Sequence, residues 1–421
     1  MRIFMQRNFL FMFIGRVITN IGDSFYTVAA MWLVYDLGGS TFYTGLAGFL
    51  TILPRCVQFF SGPLIDRIPI RSLLLYSQIF QGILLLIIPT AHYFNFLSIT
   101  LVLIITPLVT TLNMFVYPAQ MASLPKFVKE KDLTKANSYF TLAYQGIEIG
   151  CNAVAGILIV MIGAISIYLL DSVLFMVGAI LFSFLRISKD MTENHEKRGR
   201  VSIFASLKIY KDDLKIGIDI LLSKPLLRIL IGVIAINLVG GATFVVLPEF
   251  SEHSGGPEIY GLLLMAQAAG SLSGALLAPY LKVERFGLGK VYSLAFLISG
   301  FMWALSVFSP WTWLMIVIYG IAWLPGGVTN ILINTCLQKG VPKHLLGRVF
   351  SASYSLSGIA MPLGSLLGGY LGVMFGSIFV IFCSGLVIFL VGIFWMVDKT
   401  TRSLPKTENI NESTFIQVHV S

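Results

Sequence analysis

The amino-acid sequence predicts an all-α polytopic membrane protein with twelve transmembrane helices, arranged as two six-helix pseudo-symmetric bundles. Composition is the first reason, because 56% of the 421 residues are hydrophobic and only 12% are charged, against about 25% charged in soluble proteins. The second is that twelve apolar runs approach or exceed the ~20 residues that a membrane-spanning helix needs. The third is a single long polar stretch that divides these runs into six and six.

The twelve runs, spans 1 to 12, are separated by short connections except at the centre. They cover residues 9–35, 43–62, 71–90, 98–121, 136–162, 164–187, 226–248, 258–280, 288–308, 311–335, 346–372 and 374–397. The polar stretch predicts a first bundle over 1–187, a linker over 188–225, a second bundle over 226–397 and a tail over 398–421.

The lysines and arginines predict the orientation of the chain in the membrane. Of these 29 residues, 27 fall at the termini or in the connections on one side and none in the connections on the other, while Arg16 and Arg55 lie inside spans. Positive residues accumulate on the cytoplasmic side. We therefore expect both termini in the cytoplasm of a bacterial cell, with the spans in its cytoplasmic membrane. The net charge of +9 follows from this topology, so no nucleic-acid partner is expected.

The two halves of the chain show a weak internal repeat. Gly15, Asn20 and Asn113 recur as Gly232, Asn237 and Asn330, each 217 residues later. Parallel repeats of this kind build one large class of transporter, whose substrate site lies near the midplane between the halves.

Several polar and ionisable residues fall inside the predicted spans. Each ionisable group at the bilayer centre costs about 2.5–3.5 kcal/mol, and such groups usually face a cavity or a partner. The candidate residues for proton coupling or substrate contact are Asp23, Glu148, Arg16, Arg55 and Asp171. The candidate cavity-lining residues are Asn20, Asn113, Gln145, Asn237 and Asn330.

Two interpretations of the carboxylates stay open. Asp23 or Glu148 can gain and lose a proton during transport, because burial and a nearby arginine act on a carboxyl group in opposite directions. Alternatively, Arg16 or Arg55 forms a permanent ion pair that locks helices together. Arg16 and Asp23 are seven residues apart, roughly 10 Å along a helix, so we expect their partners on other helices.

The second half of the chain carries nearly uncharged residues at the matching positions. Asp23 corresponds to Gly240, and Glu148 corresponds to Ala360. This half offers amide and indole side chains instead, namely Asn237, Gln267, Trp303, Trp323, Asn330 and Asn334. We therefore expect a charged surface of the first half to face an amphipathic surface of the second half.

Two glycines of span 5 form a G-x-x-x-G pattern, which typically lets two membrane helices approach closely. They are Gly146 and Gly150, on the face opposite Glu148. This pattern allows another helix to pack closely there.

The sequence contains no motif of a known catalytic site. It lacks H-E-x-x-H, G-x-S-x-G and the phosphate loop G-x-x-x-x-G-K-[ST]. The four cysteines have no metal-ligand spacing. We therefore expect no enzyme, no catalytic residue, no metal and no cofactor. The expected partners are a small-molecule substrate, protons (with sodium left open) and the lipid bilayer, and the expected state is a monomer.

The connection between spans 2 and 3 reads Ser61-Gly62-Pro63-Leu64-Ile65-Asp66-Arg67-Ile68-Pro69-Ile70-Arg71. It resembles the signature loop of the major facilitator superfamily, in which a glycine, three residues, Asp-Arg and a later basic residue recur. The resemblance implies that fold over roughly 9–397, and a cytoplasmic gate made by Gly62, Asp66, Arg67 and Arg71.

Other motifs are similar to those of the macrolide-efflux and siderophore-exporter branch, which contains drug/proton antiporters. They are Gly22-Asp23, Trp32-Leu33-Val34-Tyr35, Pro362-Leu363-Gly364 and Gly368-Gly369. One position departs from the antiporter pattern, since Gly150-Cys151 stands where antiporters often have Gly-Pro.

The sequence thus predicts a secondary active transporter that works by alternating access. The favoured activity is proton-coupled efflux of an amphipathic small molecule, such as a drug, macrolide, peptide antibiotic or siderophore. One alternative is a proton-coupled or passive importer or facilitator of a metabolite or lysolipid. A non-transporting membrane receptor or assembly protein is the alternative from a different class.

Overall fold

The computed structural model describes most of the chain. It covers residues 6–57, 69–116, 119–120, 124, 127–128, 133–185, 218–222, 224–278, 280–281, 285–342, 345–406 and 409–410. The linker is described only near its end, so most of it lies outside these ranges.

Fourteen helices form the described part of the chain. They are α1 Arg7–Gly38, α2 Thr41–Val57, α3 Ile70–Tyr93, α4 Ile99–Asn113, α5 Leu133–Ile162, α6 Ala164–Ser183, α7 Lys224–Glu252, α8 Pro257–Leu277, α9 Leu288–Ser306, α10 Thr312–Gly340, α11 Leu346–Gly358, α12 Ala360–Phe375, α13 Ser377–Val397 and α14 Lys399–Arg402.

The predicted all-α, multi-span class is confirmed. Among the described residues, nine helical segments are long and apolar enough to cross a membrane, and three shorter apolar helices coincide with spans 2, 4 and 5. Each of the twelve predicted spans therefore has an apolar helical segment within it. In span 4, α4 ends at Asn113, short of the predicted end at residue 121.

Span 11 forms one apolar segment, Arg348–Phe375, as predicted, with a break in its helix at the single residue Ile359. The chain forms α11 and α12, and Ile359 separates them. Pro362 explains the break, because proline cannot donate the backbone hydrogen bond that would continue a helix across residue 358. Proline is well tolerated in a first turn, which is where Pro362 lies in α12.

The helices group into two compact units. The first contains residues 1–39, 50–207 and 255–265, and the second contains 40–49, 208–254 and 266–421. The start of α2 therefore belongs to the second unit, and the start of α8 belongs to the first. The division of the chain into bundles at 187 and 226 stays a prediction.

The predicted internal repeat has a counterpart in the packing of each unit. In the first unit, a Cβ on Gly15 of α1 would lie 2.6 Å from the Phe182 ring of α6. In the second unit, a Cβ on Gly232 of α7 would overlap the Trp395 ring of α13. The first and last helices of each predicted bundle thus meet through a glycine and a large aromatic residue.

A second pair of equivalent contacts involves glycines on crossing helices. In the second unit, a Cβ on Gly45 would lie 2.7 Å from Cα of Gly369, and the Thr41 hydroxyl donates to the Gly369 carbonyl over 3.0 Å. In the first unit, a Cβ on Gly261 would lie 2.9 Å from Cα of Gly156. Only residues without a Cβ permit such close backbone approach.

The close packing that the glycines Gly146 and Gly150 allow is not made by the described residues. Within the described part of the chain, no atom of another helix lies within 4 Å of the Cβ position at either glycine. Gly156, further along α5, makes the close contact instead. The G-x-x-x-G pattern alone does not determine which face of a helix meets a neighbour.

Asp398 caps the short helix α14, which packs against α7, α9 and α13. Its Oδ2 accepts hydrogen bonds from the Thr401 backbone N–H over 2.9 Å and from the Thr401 hydroxyl over 2.8 Å. These bonds lower the pKa of Asp398 from its ordinary value, and the backbone bond has the larger effect.

We expect Asp398→Ala to reduce stability by at most about 1 kcal/mol at neutral pH, the usual contribution of a helix cap. Because the folded pKa is the lower one, this stabilisation is complete above the unfolded pKa, near 4, and is lost as the pH falls through the folded pKa. Thermal unfolding of wild type and Asp398→Ala, measured from neutral pH to below the folded pKa, checks this prediction. A difference in melting temperature that persists at the lowest pH would contradict it.

Candidate functional site

A buried ion pair lies within α1, the helix for which the sequence predicts the coupling face. Arg16 Nη1 lies 3.5 Å from Asp23 Oδ2, and these side chains are 6% and 17% exposed. Two opposite charges this sheltered attract each other more strongly than they would in water. Their desolvation is costly, so such a pair persists only with further hydrogen bonds.

Asn20 of the same helix and residues of two neighbouring helices supply those hydrogen bonds. Asn113, the last residue of α4, donates from Nδ2 to Asp23 Oδ1 over 2.5 Å. Arg16 Nη2 donates to Asn20 Oδ1 over 3.2 Å, and Asn20 Nδ2 donates to the Tyr144 carbonyl of α5 over 3.3 Å. The pair thus connects α1 with α4 and α5 within the first unit. Arg16, Asn20, Asp23 and Asn113 are hereafter the charge network.

The expectation that Arg16 and Asp23 find partners only on other helices was wrong. Two turns separate them, yet they share a face, and the Asp23 Cα–Cβ bond tilts toward the helix N-terminus and hence toward Arg16. The long arginine side chain spans the remaining distance, with Asn20 bound to it midway. An estimate from the rise along the helix axis leaves out the length of the arginine side chain.

Tyr144 is a contributor that the sequence argument missed. The Arg16 guanidinium carbon lies 5.4 Å from the centroid of the Tyr144 ring, a cation–π contact. Tyr144 precedes Glu148 by one helical turn and shares its face, so the spacing along α5 would have identified it.

Asp171 lies on α6, facing the backbone of α1. Its Oδ1 is 3.7 Å from the Cβ position at Gly22, the residue before Asp23. The side chain is fully buried, and neither carboxyl oxygen has a hydrogen-bond partner among the described residues. The Tyr168 hydroxyl, one turn away, is likewise buried without a partner there. A buried polar group without a hydrogen-bond partner is unusual and needs a physical explanation.

The other candidates are spread more widely. Glu148 is exposed on α5, and Asn152, one turn further on, is buried. Arg55 and Gln145 lie in α2 and α5, but their side chains are outside the described residues. Among the described residues, hydrogen bonds and the ion pair join Arg16, Asn20, Asp23 and Asn113.

The expected gate loop lies mostly outside the described ranges, as Gly62, Asp66 and Arg67 do. Arg71 is described in the first turn of α3. Its Nη2 donates to the Ser183 carbonyl at the end of α6 over 2.5 Å. This bond connects the start of α3 to the end of α6.

The corresponding positions of α7 in the second unit carry no charge. Asn237 donates to the Val233 carbonyl of its own helix over 3.0 Å, and no atom of another described helix lies within 4 Å of the Cβ position at Gly240. Asn330 of α10 is exposed and accepts from Asn334 over 3.3 Å. At these matched positions, the charged residues thus lie in the first unit.

The described residues contain no group of three or more histidine, cysteine or acidic side chains that could hold a metal ion. The charge network joins two opposite charges on one membrane span, and its hydrogen bonds reach α4 and α5.

Comparison with known proteins shows the family of the chain. The pattern of the family described as transmembrane secretion effector matches residues 2–419. The chain is 25% identical over 412 residues to the uncharacterized MFS-type transporter YvqJ of Bacillus subtilis (strain 168), covering 94% of each. It is 24% identical to the multidrug efflux pump Tap of Mycolicibacterium fortuitum, over 83% of this chain and 85% of Tap.

Solved structures give the same fold. A crystal structure of a mutant peptide transporter POT in complex with alafosfalin superposes with a TM-score of 0.69 at 10% identity, covering 93% of this chain and 94% of that one. The protein is therefore a multi-pass membrane transporter. It belongs to the transmembrane secretion effector family, within the major facilitator superfamily.

Proposed function

We propose that this transporter exports an amphipathic small molecule from the bacterial cytoplasm in exchange for protons, by alternating access. The observation that carries the proposal is the largely buried Arg16–Asp23 pair, which Asn113 holds within a predicted membrane span. Membranes rarely tolerate such a pair unless it serves a substrate or ion pathway.

The proposed mechanism uses the charge of Asp23. Protonation of its carboxylate removes the attraction for Arg16 and converts one oxygen from an acceptor into a donor. The contacts that connect α1 with α4 and α5 then weaken together. Deprotonation restores them, so the two protonation states favour different arrangements of these helices.

Asp171 and Glu148 are the further carboxyl groups proposed to take part. Asp171 faces α1 beside Asp23 and has oxygens free of described hydrogen bonds, so it is placed to share the proton. Glu148 follows Tyr144 by one turn and is accessible. Gly62, Asp66, Arg67 and Arg71 are proposed to close the cytoplasmic side, as the resemblance of their loop implies.

Similarity to the multidrug efflux pump Tap supports export and a small-molecule substrate. The test uses proteoliposomes with an imposed pH gradient, a pH-sensitive dye inside, and a panel of macrolides, siderophores and hydrophobic cations. We expect at least one compound to move with an opposite flux of protons, and both fluxes to stop when a protonophore dissipates the gradient.

Two results would contradict the proposal. Compound movement that follows an imposed sodium gradient and ignores the pH gradient would assign the coupling to sodium. Movement down its own gradient without proton flux, unchanged in Glu148→Gln, would indicate a facilitator, as in import of a metabolite or lysolipid.

A further inference from the structure

A second cluster of side chains, which the proposed proton coupling does not use, lies in the second unit between α9 and α10. Trp303 of α9 contacts Trp323 and Tyr319 of α10, with ring centroids 4.8 and 5.6 Å apart. Trp303 and Tyr319 are buried, whereas Trp323 is partly exposed. These three residues, hereafter the aromatic cluster, present one accessible indole supported by two buried rings.

The close packing of α8 on α10 holds Trp323 in place. A Cβ on Gly270 of α8 would overlap the Gly320 carbonyl and would lie 3.3 Å from the Trp323 Cβ. Tyr319 donates a long hydrogen bond of 3.5 Å to Gln267 Oε1. Because the ring is already ordered, little conformational entropy remains to be lost when a ligand contacts it.

Two different faces of α10 are exposed. One face carries the large apolar residues Leu314, Val317 and Ile321. The other carries, at steps of three and four residues, Trp323, Gly326, Asn330 and Asn334. Lipid suits the first face, but amide side chains at membrane depth usually face the protein interior or water. The second face therefore adjoins space that a polar molecule can enter.

This second face has both room and unused hydrogen-bonding capacity. No described atom of another helix lies within 4 Å of the Cβ position at Gly326, between Trp323 and Asn330. Among the described residues, the Asn334 amide donates to the Asn330 amide, and an amide group has further donors and acceptors to offer a ligand. The buried Nε1–H of Trp303 has no acceptor among the described residues, an arrangement that is costly without a bound group or water.

We infer that the aromatic cluster, together with Asn330 and Asn334, binds a planar aromatic ring carrying uncharged hydrogen-bonding groups. The described face from Trp323 to Asn334 carries no ionisable side chain, so it recognises a ligand by stacking and amide hydrogen bonds. This inference rests on the proposed function in taking that ligand to be the exported substrate. It favours planar aromatic compounds over saturated macrolides.

The test uses riboflavin, an uncharged planar ring with a polyhydroxyl chain, and the full-length protein in nanodiscs without any gradient. We expect saturable quenching of the riboflavin fluorescence, with no displacement by the saturated macrolide erythromycin. Trp323→Ala should weaken binding about tenfold, the upper range for one aromatic contact. Trp323→Phe should retain most of it, because a ring remains.

Gly326→Val tests the open space, because its side chain fills the gap between Trp323 and Asn330. Matched controls are Trp313→Ala, which removes an exposed indole at the start of the same helix, and Gly146→Val, at an open glycine of α5. Both controls should bind riboflavin as wild type does. A melting temperature near that of wild type shows that each variant is folded.

Absence of saturable quenching by wild type would overturn the inference, as would equal quenching by folded Trp323→Ala or displacement by erythromycin. The outcomes also separate this inference from the proposed function. Riboflavin binding without proton-coupled transport of any compound contradicts only the exporter proposal. Proton-coupled transport that Trp323→Ala and Gly326→Val leave unchanged contradicts only the aromatic site.

Discussion

Asp23→Asn should reduce substrate-dependent proton flux in proteoliposomes to the level of empty liposomes. The amide keeps the shape of the carboxylate and its contact with Asn113 but cannot exchange a proton. It also removes one charge of the Arg16–Asp23 ion pair, which we expect to cost about 3 kcal/mol of stability. Loss of flux in this variant alone therefore has two explanations, coupling or folding.

The double variant Arg16→Gln/Asp23→Asn distinguishes these explanations. It removes both charges of the ion pair together, so its thermal stability should return toward that of wild type. If Asp23 carries the coupled proton, proton flux stays absent in this stable protein. Recovery of proton-coupled transport would instead show that the ion pair only locks helices together.

Asp36→Asn is the matched control. Asp36 belongs to the same helix and undergoes the same chemical change, but its side chain is exposed near the end of α1. We expect wild-type flux and stability from this variant. Equal loss of flux in Asp36→Asn and Asp23→Asn would show that charge anywhere on α1 matters, contrary to the proposed role of the charge network.

The second large effect is expected at Gly241, where α7 meets α12. A Cβ there would overlap the Met361 carbonyl oxygen and lie 2.9 Å from its carbon. The contact is reciprocal, because a Cβ on Gly364 would overlap the Leu238 carbonyl. Backbone cannot move aside as a flexible side chain can. Gly241→Ala should therefore destabilise the protein by about 1–3 kcal/mol, the usual cost of overpacking.

The adjacent residue supplies the control for this prediction. At Gly240, no atom of another described helix lies within 4 Å of the Cβ position, so Gly240→Ala has room. Alanine favours a helix interior over glycine by up to about 1 kcal/mol, so the melting temperature should stay or rise. Thermal unfolding in detergent compares the two variants. Equal melting temperatures would contradict the packing of α7 against α12.

The sequence analysis identified some partners well and others poorly. Periodicity placed Arg16, Asn20 and Asp23 on one face of α1, and the structure brings them together. The intrahelical ion pair was missed because axial distance ignores how far and in which direction side chains extend. The Asp23–Asn113 bond joins residues 90 positions apart, so its geometry follows from helix packing that no local pattern encodes.

The sequence also identified some glycine contacts poorly. Gly146 and Gly150 match a known packing pattern, yet they meet no described neighbour within 4 Å. Gly156 and Gly241 match no such motif in the sequence analysis, yet each touches the backbone of another helix. A glycine permits close approach, but the orientation of both helices decides whether it occurs.

The sequence by itself determined that this protein is an all-α, multi-pass transporter of its family. It could do so because a bilayer offers the backbone no hydrogen bonds, so an apolar run of sufficient length must form a helix. The tertiary structure alone decided that Asp23 pairs with Arg16 and Asn113, and that Trp323 is supported by Trp303 and Tyr319. These contacts depend on the direction of the side chains and on how helices with distant sequence positions pack. Composition and periodicity contain neither.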